Sequence, residues 1–96
     1  MSLSKAQTKI ENAIQMADSH LNGERDECLA AHFDPQVERF AQTLREMEAA
    51  LVSKAKVGVT YMTRSIADGW PFESKLGKAV CEAVEAYESC VKANSC

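Results

Sequence analysis

The chain reads as an all-α protein, a three-helix up-down-up antiparallel bundle with a long middle helix. Two observations carry that expectation. Asp34-Pro35 and Asp68-Gly69-Trp70-Pro71 cut the sequence into three stretches of similar length, and each stretch repeats apolar residues at helical spacing. Between the cuts lies a run of about thirty residues with no proline and a single glycine, far beyond the usual three-turn helix. Rods joined by tight corners hide their apolar stripes by folding back on one another or by packing against other chains.

The first stretch opens at Ser4-Lys5-Ala6-Gln7, which fits a capping box. Ala6, Ile10, Ile14, Ala17 and Leu21 then recur every three or four residues. Asn22-Gly23 reads as a left-handed cap or as a tolerated glycine. Projection at about 100° per residue keeps Cys28 on the Ile10 meridian, so the expectation is a continuous or slightly kinked helix over 4–32, with 22–23 as its possible break.

The second stretch starts with Asp34 as cap and Pro35 at the first helical position, where its missing N–H is harmless. Val37, Phe40, Leu44, Met47, Leu51, Ala55, Gly58, Met62 and Ile66 form its stripe, which predicts one helix over 35–67. Seven-residue recurrence among them resembles coiled-coil packing. Residues 56–62 have a strand-like composition, but nothing in the sequence offers a second strand to pair with them. Val52, Val57 and Tyr61 lie off or beside the stripe, giving this helix more apolar surface than one seam needs.

The third stretch turns at Trp70-Pro71-Phe72 and runs as a helix over 71–94. Phe72, Leu76, Val80, Ala83, Tyr87 and Val91 lie inward and most of the charges lie outward. Trp70 either plugs the open end of the bundle or offers an anchor to a partner, and the plug is the favoured reading.

At 96 residues, 46% apolar and 26% charged, the chain forms one ordinary globular domain, 1–96. A net charge of −3 and a pI near 5.3 disfavour nucleic acid, which selects a basic face. No stretch has the apolar length of a membrane span, and Lys5, Lys9, Glu11 and Asp18 spoil a secretory leader or a transit peptide. Cytoplasmic residence is therefore expected.

Chemistry is sparse. There is no G-x-S-x-G, no P-loop and no Glu-x-x-His. Two histidines and no glycine-rich loop leave little room for an active site, so no enzymatic activity is expected. His20, Glu24, Cys28 and His32 form a row every four residues, but its ends stand about 18 Å apart on a helix, so one ion could reach only some of them. Cys81 and Cys90 fall on opposite sides of one helix and cannot pair there. With the first and last helices parallel, Cys28 and Cys96 reach similar levels and a bridge between them is conceivable. The favoured reading instead makes Cys28 and Cys90 small core residues and leaves Cys81 and Cys96 as surface thiols.

The functional expectation is a non-enzymatic protein–protein interaction module: a small helical subunit, adaptor or inhibitor acting through an apolar helical face. Val52, Val57, Tyr61, Trp70 and Phe72 are its candidate interaction residues, and a protein partner or homo-oligomer is its expected company. No cofactor or metal is expected. The alternative is a small-ligand or metal carrier with an interior site near Cys28, His32, Met62 and Tyr87.

Overall fold

The computed structural model describes residues 3–24, 27, 29–53, 58–71 and 73–92, and among these the chain is all-α. The described helices number four, not three: α1 (Leu3–Leu21), α2 (Asp34–Ser53), α3 (Thr60–Gly69) and α4 (Lys75–Lys92), with a short 3₁₀ turn at Ala31–Phe33.

α1 stops at Leu21, well short of the expected end at residue 32, and Gly23 is the reason. Its φ of +111° is open to glycine and strained for any residue with a Cβ. With the chain turned left-handed there, the Glu24 N–H reaches the Ser19 carbonyl (2.9 Å) and the Gly23 N–H reaches that of His20 (3.4 Å). These are the paired bonds of a Schellman cap. The helix therefore ends at this point, and the phase that continues into Cys28 and His32 is coincidental.

α2 begins at Asp34, which already has helical dihedrals (φ −55°, ψ −45°). Asp34 is thus the first residue of the helix rather than a cap outside it. Its carboxylate accepts a hydrogen bond from Nε2–H of His20 at 3.1 Å, and His20 is 1% exposed. The expected 35–67 helix is two helices, because α2 ends at Ser53 and α3 starts at Thr60. The strand-like 56–62 segment forms no strand where it is described; Val59, at φ −116° and ψ −16°, leads into α3. α4 starts four residues later than the proline corner suggested. Ser74 Oγ accepts the N–H of Gly77 at 3.0 Å and so caps the first turn.

The directions of the rods follow from side-chain pairs. His20 meets Asp34, and the Glu11 and Glu48 carboxyls lie close together, so α2 runs back along α1. Trp70 stacks on Phe40, near the start of α2, and lies against Gly77, near the start of α4. Lys9 then meets Glu82 further along α4, at 3.1 Å. α4 therefore begins beside the end of α1 and descends antiparallel to it. The up-down-up bundle, with parallel first and last helices, is corrected: the short α3 reverses the chain once more.

α1 packs on both α2 and α4, while α3 lies mainly on α4. The inward face of α1 is small: Ala6, Ala13 and Ala17 are fully buried beside Ile10. Alanines let neighbouring rods approach closely. The stripe is rotated slightly from expectation, since Ala13 and His20 are buried and Ile14 and Leu21 only partly so. Val37, Phe40, Leu44, Met47 and Leu51 of α2 meet Leu76, Val80, Ala83 and Tyr87 of α4 in one core. Met62 adds the buried contribution of α3. Each large apolar side chain so enclosed contributes roughly 1.5–3 kcal/mol. The molecule measures 37 × 25 × 18 Å.

Candidate functional site

The 68–77 corner positions the site. Phe40 is the platform: Trp70 stacks on it with centroids 5.2 Å apart, and Tyr61 meets it edge-on at 5.7 Å. Phe33 closes on Trp70 from the other side at 5.6 Å, and the indole N–H donates to Gln36 Oε1. Trp70 is left 8% exposed. Tyr61 is half-buried, with its hydroxyl hydrogen-bonded to Thr43 and the Arg39 guanidinium 4.8 Å above its ring. Aromatic packing of this kind fixes ring orientation as well as burying area.

Outside that cluster, α3 and α4 diverge over a groove of about 510 Å³. Ile66 and Ala67 form its α3 wall, Trp70 and Pro71 its head, and Gly77 and Cys81 its α4 wall. Lys78, Glu82 and Glu85 stand along the α4 rim, all exposed. Gly77 is needed for the closeness of the wall: a Cβ there would stand 3.3 Å from Cε3 of Trp70. The Cys81 thiol is free and half-buried. Burial pushes its pKa up, and the nearby Glu85 carboxylate adds to the effect. A thiol held protonated is a poor nucleophile, so it acts here as a small apolar surface.

The sequence-predicted interaction residues are divided by the structure. Tyr61 and Trp70 are both anchored inward by the Phe40 cluster, and of the two only Trp70 reaches the groove. Val57, Phe72 and the side chain of Val52 lie outside the described residues. The groove depends instead on Ile66, Ala67, Gly77 and Cys81. Their one legible signal is the four-residue spacing of the small residues Gly77 and Cys81 on α4; nothing local shows that α3 will lie opposite.

The His20–Glu24–Cys28–His32 row does not exist as a helical face, because α1 ends at Leu21. His20 turns inward to Asp34, and His32 is exposed on the 3₁₀ turn, its ring against Phe33. Among the described residues no three His, Cys, Asp or Glu side chains are grouped to hold a metal ion. Met62 and Tyr87 are core residues at 0% and 3% exposure, and Cys28 lies outside the described residues.

Cys90 is a fully buried core residue, as expected, and it is disulfide-bonded. Its partner lies outside the described residues. Cys28 and Cys96, considered above for a bridge, lie outside the described residues. That bridge was premised on parallel first and last helices, and these run antiparallel.

Among the described residues no helix is long and apolar enough to cross a membrane. No family model, curated protein or solved structure matches this chain.

Proposed function

We propose that this chain is a non-enzymatic protein–protein interaction module, a small helical subunit, adaptor or inhibitor, which offers the α3–α4 groove to a protein partner or to a second copy. The observation that carries the reading is the groove itself. It combines apolar and small walls, a rigid aromatic head and a charged rim on the solvent side of a bundle whose core is already closed. Interfaces favour that arrangement, an apolar centre with a polar border.

The carrier reading has less behind it. Of its described residues, His32 is exposed while Met62 and Tyr87 fill the core, so these three outline no common interior space. The cytoplasmic address stands against one observation, the disulfide at Cys90, since cytosolic thiols are held reduced. Intact mass of protein from its native source, with and without reductant, decides that point.

Native mass spectrometry of the untagged protein from its native source tests the function. The expected species is the chain together with a second polypeptide or a second copy. Ala67→Asp, at an exposed groove position, should release that companion with the helical content unchanged. A bare monomer, or a monomer carrying only a small non-protein mass, would refute the interaction reading.

A further inference from the structure

We infer that the partner at the α3–α4 groove is a second copy of this chain, docked with its α4 antiparallel to the first; this rests on the interaction reading above. The charge pattern of the rim favours a second copy. Lys78 and Glu85 are seven residues apart on α4, about 10 Å along the axis and within about 20° of the same meridian. No ion pair or hydrogen bond among the described residues engages either side-chain charge. The helical neighbours of Glu85 are Cys81, Glu82, Glu88 and Ser89, none of them cationic. Glu82, the i+4 neighbour of Lys78, is drawn instead to Lys9 of α1 at 3.1 Å.

A face with a cation at one end and an anion at the other is complementary to itself under a two-fold axis. An isologous contact demands that if residue i meets j, then j meets i. Antiparallel docking of α4 on its copy does this with Lys78 opposite Glu85 at both ends of the contact. The axis then passes between positions 81 and 82. Cys81 comes to lie beside its own copy, and its small size permits close approach of the two helices. Ile66 and Ala67 from each copy flank the centre with apolar surface. Glu82 would meet its own copy across the axis, and Lys9 neutralises it on each side. A parallel arrangement would set Lys78 against Lys78 and Glu85 against Glu85, so the charges also select direction.

Sedimentation equilibrium of the full chain over about 1–200 μM tests this. The expected result is a reversible dimer. Lys78→Glu and Glu85→Lys should each weaken association about tenfold, because each substitution sets like charges at both ends of the contact. The double variant Lys78→Glu with Glu85→Lys should recover the dimer. Mild oxidation should link the copies through Cys81, and Cys81→Ser should abolish the link. All three positions lie on the rim or wall, so circular dichroism of each variant should match the parent. A monomer throughout, single variants that leave the dimer unchanged, or a double variant that fails to recover would each overturn the proposal. A monomer that still loses a different protein companion on Ala67→Asp would overturn the homodimer and leave the interaction reading standing.

Discussion

Gly77 sits beneath the Trp70 indole so closely that a Cβ would stand 3.3 Å from ring atom Cε3. The ring cannot yield easily, being stacked on Phe40 and held through its N–H by Gln36. Alanine in place of an exposed mid-helix glycine normally gains about 1 kcal/mol. At Gly77 the crowding should cancel that gain, so Gly77→Ala leaves urea-unfolding stability flat or lower. Gly77→Leu should cost about 1–3 kcal/mol through overpacking. A stabilised Gly77→Ala would show the Trp70 contact to be loose.

Gly23 is open to a side chain in space, yet its φ is +111°. Strain rather than collision governs substitution there. Gly23→Ala should cost about 1 kcal/mol, and Gly23→Asn less, because asparagine tolerates left-handed backbone. Chemical denaturation of the pair checks the ranking. Equal stability of the three proteins would mean that the Schellman cap contributes little.

Tyr61 joins α3 to α2 through its hydroxyl at Thr43, and Thr43 Oγ1 donates in turn to the Arg39 carbonyl at 3.1 Å. Tyr61→Phe should lose about 1 kcal/mol, the net worth of such a bond. Tyr61→Ala should lose more, since the edge contact with Phe40 goes as well. Hydrogen exchange should localise the loosening in both variants to α3.

Glu48 carries a pH-dependent feature with a clear sign. Partial burial raises its carboxyl above the usual range, and Glu11 adds to this through a hydrogen bond and like charge. The fold therefore favours the protonated form and takes up a proton as pH falls through the raised pKa. The pair stabilises below that pH and repels above it. Glu48→Gln supplies the N–H donor at every pH, so its thermal midpoint should exceed that of the parent at pH 7. The gap should narrow toward pH 4, and a gap that widens on acidification would contradict the pairing. The size should stay under about 1 kcal/mol, as for other solvent-accessible pairs.

Much of this architecture was legible from local pattern. Apolar spacing placed Ala6, Ile10 and Ala17, Val37 through Leu51, and Leu76 through Tyr87 on inward faces, because a helix must bury one stripe and periodicity marks it. The corners at Asp34-Pro35 and Trp70-Pro71 were visible for the same local reasons. Less of the candidate site could be read. Ile66 entered as a stripe residue and Cys81 as a surface thiol, and their shared groove required knowing that α3 lies against α4.

What the sequence alone determined is the all-α class and the inward faces, since both follow from propensity and period within a single segment. The stop at Gly23 was ambiguous because its helical phase survives the glycine, and only the backbone turn resolves it. Helix direction and the α3–α4 groove were decided by tertiary packing. Phe40 gathers Tyr61 and Trp70 from distant positions, and burial of those rings sets which helix lies beside which. Periodicity says which face is apolar; it carries no information on which other face will cover it.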